Sequence, residues 1–416
     1  MKYFRTANIS GFFLNIKFLF SIILSGILLS QTLFAKEASN PLELKLNKLI
    51  QNGSYIVLKK DSPILSYNTD KQFIPASIWK IVTALGALET LGGNYRFKTE
   101  FFLSISNDLY IKGFGDPFLV SEEIELIYGE MIKKGLIEIN NIYLDASSFN
   151  VPEPPPGVSA SLNPYDVTNG ALAVNFNTIN FYIDKKGEII SAEKQTPTLK
   201  LMKDLGKGFT QGKHRINISR SPENITRHTG ELFRALQHKL NISGSGTETT
   251  KNTPSNLTPF YIHYSSKTLK EIIKEMMLYS NNYIANQIYL TMGARKHGYP
   301  ATWEKSQDMF REYLDRSFPG YTKAITFDEG SGISRNNMIT AGAMTEVLKR
   351  FKPYARLLPL EGGRLIKSGT LKGVYSYAGY FFEGDSYDSF VIILNQKRNN
   401  RDTVLGLMEQ HYKVTH

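Results

Sequence analysis

Three short strings, far apart and in a fixed order, limit what this chain can fold into more than any other feature: Ser77-Ile78-Trp79-Lys80, Ser280-Asn281-Asn282 and Lys367-Ser368-Gly369-Thr370. Their side chains form a working set only if the fold carries all three to one place. Single matches mean little, because Ser191-Ala192-Glu193-Lys194 repeats the first spacing and Ser148-Phe149-Asn150 the second. A lone Ser with Lys one turn later is ordinarily a helix cap with a solvated charge, and a lone Lys-Ser-Gly is ordinarily a turn. Order and surroundings set these three apart.

The first string opens a helical pattern. Ile78, Ile81, Val82, Leu85, Leu88 and Leu91 recur at spacings of three and four, the mark of an amphipathic helix, with Pro75 and Ser77 at its start and Gly92-Gly93 at its end. Upstream, apolar runs at 55–58 and 64–66 flank a polar turn and predict a hairpin. The second string follows a helix predicted from 269 through 277. The third lies on a strand predicted over 365–370, with further strands at 377–382 and 390–394, a helix at 338–351 and a closing helix from 403. Between the first two strings the texture changes to strands at 97–105, 109–111 and 139–144, a helix at 122–134, a proline-rich loop at 152–156 and shorter polar elements to about 255. We expect an α/β (α+β) protein with an antiparallel sheet flanked by helices. Its catalytic domain is discontinuous, 36–95 plus 256–416, and a β-rich lobe is inserted at 96–255.

The residue types suit nucleophilic chemistry. A serine hydroxyl is a weak nucleophile at neutral pH without a positioned base. Three residues apart on a helix, Ser77 and Lys80 share a face. Lys80 must be neutral to accept a proton, which requires its pKa to fall well below the ordinary ~10.4; burial beside Trp79 and Ile81 and the charge of Lys367 both act in that direction. A helix start adds a positive dipole end and a backbone N–H for an oxyanion. Ser280 can relay a proton between Lys80, Lys367 and a leaving amine, and Asn282 can orient Lys80 and bind a substrate amide. On an edge strand, Lys367 and Gly369 face one way and Ser368 and Thr370 the other. Gly369 then permits close approach of substrate, the Thr370 N–H completes the oxyanion hole, and the Ser368 and Thr370 hydroxyls bind a carboxylate.

The chain begins with Lys2, Arg5 and Lys17, an apolar stretch over 18–29 and Thr32-Leu33-Phe34-Ala35, the pattern of a secretory signal peptide cleaved after Ala35. The alternative is an uncleaved anchor, for which the apolar run is short. Export of the body of the protein follows from either. There is no cysteine, so disulfides, thiolate chemistry and lipoprotein anchoring are excluded. The formal charge of +11 is spread without a basic run. That is compatible with peripheral association with an anionic envelope, and nucleic acid is not an expected partner. No histidine spacing suits a metal; His228-Thr229-Gly230-Glu231 reads as surface and helix-cap chemistry.

With these motifs in hand, the chain resembles the D-alanyl-D-alanine carboxypeptidases and endopeptidases of the penicillin-binding-protein-4 type over nearly the whole exported sequence. The resemblance extends to Gly113-Phe114-Gly115-Asp116-Pro117, to Glu329-Gly330-Ser331-Gly332-Ile333-Ser334-Arg335 and to the long insertion between the first two strings. It implies a penicillin-binding, β-lactamase-like transpeptidase fold and action on peptidoglycan stem peptides. It also implies acylation of Ser77 by β-lactams as inhibitors, with Lys80, Ser280, Asn282 and Lys367 catalytic, Ser368, Gly369 and Thr370 binding substrate, and no metal or cofactor. Three segments depart from the family. Ser368 stands where Thr is usual. Pro156-Gly157 is followed by Val158-Ser159-Ala160-Ser161-Leu162 instead of Trp-x-Trp-x-Asp, so the acid that meets the stem-peptide amine is missing there, and whether Asp166 replaces it is open. The loop before Lys367 is shortened to 358–363. A penicillin-binding envelope scaffold with weak catalysis is the alternative from another class, and a β-lactamase the alternative among enzymes.

Overall fold

The computed structural model describes residues 41–383 and 386–415; the expected leader at 1–35 lies outside them. A nine-residue helix, α1 (Pro41–Leu49), precedes a compact unit that begins at Ile50. That unit opens with the hairpin β1 (Gly53–Lys59) and β2 (Ser62–Tyr67), then β3 (Gln72–Phe73) and a 3-10 turn, Ala76–Ile78, that runs into α2 (Trp79–Thr90). Its middle holds β4 (Lys98–Leu103), β5 (Leu109–Gly113), α3 (Ser121–Lys133), β6 (Ile142–Asp145), β7 (Thr178–Ile183), β8 (Ile189–Ser191), α4 (Lys200–Gly206), β9 (Gly212–Asn217), α5 (Pro222–Lys239), β10 (Glu248–Thr250) and β11 (Tyr261–Tyr264). The remainder holds α6 (Leu269–Tyr279), α7 (Asn282–His297), α8 (Trp303–Ser317), β12 (Ile325–Thr326), β13 (Met338–Thr340), α9 (Ala341–Phe351), β14 (Leu360–Glu361), β15 (Arg364–Leu371), β16 (Val374–Glu383), β17 (Ser386–Leu394) and α10 (Arg401–Val414).

Six strands in the order β14-β15-β16-β17-β1-β2 form an antiparallel sheet. The predicted hairpin and the three strands predicted near the other end therefore share one sheet, joined where Gly53 to Val57 pair with Leu394 to Phe390. Helices flank it, and their apolar side chains merge with those of the strands into one core that includes Trp79, Leu85, Ile288, Met344 and Val391. A second core, built around Phe101, Ile111, Leu144, Phe181 and Phe233, belongs to the middle of the chain. There a mixed sheet, β10-β6-β5-β4-β11, packs with α5, which also meets α3, and a smaller one, β8-β7-β9, packs with α4. Val167 and Ala173 of this middle segment join the first core.

Three details depart from the sequence expectations. Every residue of α2 from Trp79 to Leu88 is buried, so only its last two residues, Glu89 and Thr90, meet solvent. Its polar members Lys80 and Thr83 take their partners inside the protein, which a one-sided periodicity does not reveal. The helix predicted over 338–351 is a strand for its first three residues: Ile339 pairs with Phe73 and Ile325, and the Thr340 hydroxyl then caps α9 by accepting from the Ala343 N–H at 3.0 Å. A β-branched isoleucine followed by a capping threonine favours that break. His228 lies inside α5, buried, with neither ring nitrogen hydrogen-bonded among the described residues, and burial lowers its pKa to about 4. It is a neutral core residue rather than a surface one. Glu231 does serve as a cap, accepting from the Leu201 N–H of α4 at 2.8 Å.

Candidate active site

Ser77 sits half-buried in the turn that leads into α2. The residue before it, Ala76, has φ +50°, a conformation that costs an alanine energy and persists only where the surroundings enforce it. Two glycines and a serine do so. A Cβ on Gly332 would lie 2.1 Å from the Ala76 carbonyl oxygen, and one on Gly369 would lie 2.8 Å from both the Pro75 oxygen and the Ser77 nitrogen. The Ser376 hydroxyl donates to the Pro75 carbonyl at 2.5 Å. The close approach that Gly369 allows within the protein is thus to the turn that carries Ser77. Gly369→Ala is accordingly expected to push the turn out of place. Acylation of Ser77 by a penicillin should slow on the order of a hundredfold, the cost of an ångström of misplacement. A labelling time course on the folded variant checks this, and wild-type speed would show that the contact does not position the serine.

Lys80 lies one turn along, fully buried. Its Nζ is 3.0 Å from Ser77 Oγ, 2.7 Å from Asn282 Oδ1 and 2.8 Å from the Ser331 carbonyl oxygen. Burial lowers its pKa well below the ordinary lysine range and the Lys367 charge lowers it further, against a smaller opposing effect of Glu329. A neutral lysine has two N–H bonds and one lone pair. Asn282 and Ser331 offer only acceptors and take the two N–H bonds, leaving the lone pair to face the Ser77 hydroxyl. Three fixed neighbours thus orient the amine with its lone pair towards Ser77.

The second string is the junction of two helices. Ser280 ends α6 in the left-handed conformation, φ +52°, and Asn281 caps α7 by accepting from the Ile284 N–H. That reversal turns Ser280 towards Lys367, whose Nζ donates to Ser280 Oγ at 3.0 Å and to the Ser368 carbonyl at 2.9 Å. It turns Asn282 towards Lys80, while the Asn282 Nδ2 donates to the Tyr165 carbonyl at 3.1 Å. The amide expected to meet substrate is therefore engaged with the middle segment. Burial lowers the Lys367 pKa to about 8, with Glu361 raising it and Arg401 lowering it.

The third string occupies β15. Its outer neighbour β14 pairs only with Arg364 and Leu365, and the Ile366 N–H donates outward to the Pro359 carbonyl. By strand alternation the Ser368 and Thr370 backbone groups face the same side, beyond the end of β14. The expected edge strand is thus covered at its start and open at the string.

The open edge, Ser77, Ser280 and Asn282 line a cleft of about 770 Å³, closed on other sides by Asp166, Ile333 and Arg335. Asp166 stands in this wall, accepting from the Ser159 N–H and the Ser161 hydroxyl. Sequence reasoning from the residues missed what holds the loop over Lys80. Glu329 is buried and accepts from the Ser331, Gly332 and Ser334 N–H groups and from Asn337 Nδ2. Trp79 Nε1 and the Thr83 hydroxyl donate to the Glu329 and Gly330 carbonyls. An acid among small residues in Glu329-Gly330-Ser331-Gly332 was the available signal, since carboxylates fold such loops around themselves.

Comparison with known proteins bears on this cleft. The model of the D-Ala-D-Ala carboxypeptidase 3 (S13) family matches residues 45–204 and 205–363. The D-alanyl-D-alanine carboxypeptidase of Actinomadura sp. (strain R39) is 22% identical over 405 residues, which cover 80% of this chain and 75% of that protein. Among solved structures, penicillin binding protein 4 (dacB) from Haemophilus influenzae has a like fold, with a TM-score of 0.74 at 18% identity over 90% of this chain and 99% of that one. The same protein complexed with a novel β-lactam gives 0.67 at 19%, with the same shares covered. Bd3459, a predatory peptidoglycan endopeptidase from Bdellovibrio bacteriovorus, gives 0.52 at 17%, covering 88% and 90%.

Proposed function

Since the chain belongs to the D-Ala-D-Ala carboxypeptidase 3 (S13) family and is a serine-type D-Ala-D-Ala carboxypeptidase, a hydrolase acting on peptidoglycan, we propose that it works through an acyl-enzyme on Ser77. The observation that carries this reading is the placement of Lys80 Nζ 3.0 Å from Ser77 Oγ with its other two contacts on fixed acceptors. Lys80 takes the hydroxyl proton as Oγ bonds to the carbonyl carbon of the penultimate D-alanine. The oxyanion forms beside the Ser77 and Thr370 N–H groups. Ser280, hydrogen-bonded to Lys367, passes its proton to the departing nitrogen as the C–N bond breaks and takes in exchange the proton that Lys80 had accepted, so that Lys80 is neutral again. Water then attacks the ester with Lys80 again as base, releasing the shortened peptide and the free serine.

The Ser368 and Thr370 hydroxyls face the leaving residue, and Asp166 is the cleft carboxylate available to a cationic stem-peptide side chain. The same groups serve a terminal D-alanine and a D-alanyl cross-link, so both are substrates under this reading. β-Lactams inhibit by acylating Ser77, as the β-lactam complex of the Haemophilus protein suggests. An exported, periplasmic location rests on the leader pattern at 1–35. Peripheral envelope contact rests on the positive balance of the surface. Among the described residues no helix is long and apolar enough to cross a membrane.

The test is release of D-alanine from a stem peptide ending in D-Ala-D-Ala, followed by mass spectrometry beside a cross-linked dimer. Turnover of either supports the reading. Covalent uptake of penicillin without turnover of both would favour the scaffold alternative.

A further inference from the structure

Between Ser161 and Gly170 the chain of the middle segment passes over the start of α7, and polar side chains fasten it on two sides. On one side Asn217, at the end of β9, donates from Nδ2 to the Ser161 and Asp166 carbonyls at 3.1 and 3.0 Å, and the Thr168 N–H donates to the Ser219 hydroxyl at 2.8 Å. On the other side Gln287 of α7 is fully buried and holds Gly170 twice. Its Nε2 donates to the Gly170 carbonyl at 2.9 Å and its Oε1 accepts from the Gly170 N–H at 3.3 Å. Asn169, also buried, donates from Nδ2 to Gln287 Oε1 and to the Tyr283 carbonyl, each at 3.0 Å. The same stretch contains the 3-10 turn Pro164–Asp166, whose Tyr165 carbonyl accepts from Asn282 Nδ2.

We infer that Gln287 is a positioning residue for the reaction at Ser77: with Asn169 it locks the 161–170 stretch to α7, and the locked Tyr165 carbonyl decides which end of the Asn282 amide faces Lys80. This deepens the proposed function and rests on it. A carbonyl oxygen only accepts, so the Tyr165 carbonyl holds Asn282 Nδ2 and leaves Oδ1 to take an N–H of Lys80 at 2.7 Å. Lys80 by itself does not choose between the two ends, because a neutral amine both donates and accepts. The reversed amide would offer Lys80 an N–H and draw its lone pair away from Ser77. A backbone carbonyl moves with its segment. Without Gln287, Gly170 loses both of its bonds to α7 while Asn217 and Ser219 keep their hold, so Tyr165 follows β9 and leaves Asn282. The pH dependence of acylation separates this from general damage. An acceptor favours the protonated amine, so losing Asn282 Oδ1 lowers the Lys80 pKa and moves the acid limb to lower pH even as the rate drops. Loosening that admits water relieves the burial that depresses Lys80 and moves the limb to higher pH. The charged groups that act on Lys80 are Lys367 of β15 and Glu329 of the loop over it, and among the described residues Gln287 is hydrogen-bonded to neither.

The experiment follows acylation of the full protein by a penicillin across the acid limb, in the wild type, Gln287→Met, Asn169→Ala and the double variant. Gln287→Met keeps the length of the side chain and removes its hydrogen bonds. Asn169→Ala opens the same lock from the opposite side, so either folded single variant tests the inference. Each is expected to slow acylation by about ten- to a hundredfold, the cost of a slightly misplaced catalytic group, with the acid limb displaced to lower pH. The double variant should be no slower than the slower single one, because the two side chains act as a unit. Wild-type speed in a folded variant, slowing that adds up in the double variant, or an acid limb that stays in place or moves to higher pH overturns the inference and leaves the proposed function intact. Failure of penicillin to acylate the wild type overturns both.

Discussion

Ser77→Ala is expected to take up no covalent penicillin on a denaturing gel, under conditions that label the wild type fully, and to lose D-alanine release by roughly 10⁴-fold or more. The size follows from the absence of a replacement nucleophile. Ser280 is the other cleft hydroxyl next to a lysine, but it is engaged with Lys367 Nζ at 3.0 Å, a group that titrates near 8 and is charged at neutral pH. A charged ammonium cannot accept its proton. The fold should survive, because the Ser77 side chain is half-buried and its hydroxyl is hydrogen-bonded to Lys80, within a turn held by Gly332, Gly369 and Ser376. A thermal melt close to that of the wild type beside an unlabelled band is the expected pair of results. Persistent labelling of the variant would move the nucleophile elsewhere.

The second large effect is in the pH dependence of acylation. Lys80 works as a base only when neutral, so the rate should rise as pH passes its lowered pKa. Lys367 helps only when charged, by holding Lys80 neutral and by drawing an anionic substrate, so the rate should fall as pH passes about 8. Burial lowers the Lys367 value, with the nearby Glu361 raising it and Arg401 lowering it. The sign of the coupling yields a sharp test. Lys367→Met removes a cation that depresses Lys80, so the Lys80 pKa rises and the acid limb shifts to higher pH, while the alkaline limb disappears. Lys80→Met should abolish the acid limb along with the rate, by about 10³-fold or more. Stopped-flow acylation from pH 5 to 10 in the three proteins reads both limbs. An acid limb that stays in place in Lys367→Met would disprove electrostatic coupling between the two lysines.

Much of the site was legible before any tertiary structure, for a local reason. Ser77 and Lys80 are one helical turn apart, Ser280 and Asn282 straddle a helix junction, and Lys367 and Ser368 alternate on a strand, so short-range geometry already orients each string. The hairpin at Gly53–Lys59 and Ser62–Tyr67 and the strands of the C-terminal region were equally plain, because period-two apolar patterns bounded by polar turns have few other readings. The pattern misled where burial is not one-sided. Helix α2 looked amphipathic but is enclosed, Met338–Thr340 looked helical but found strand partners at Phe73 and Ile325, and His228 looked exposed but is interior.

Taken alone, the sequence determined the class of chemistry, the pairing of Ser77 with Lys80, and the order in which a sheet and helices would be assembled, because those depend on residue type and on spacings within a turn or a strand. Only the tertiary structure decided that Gly369 packs against the turn that carries Ser77, that Glu329 folds the loop whose Ser331 carbonyl steers Lys80, that Asn282 is tied to Tyr165, and that Arg401 stands behind Thr370. Apart from the local folding of the loop around Glu329, each of these is a contact between segments dozens to hundreds of residues apart. Such contacts depend on which faces the packed cores bring together, and no local periodicity encodes that.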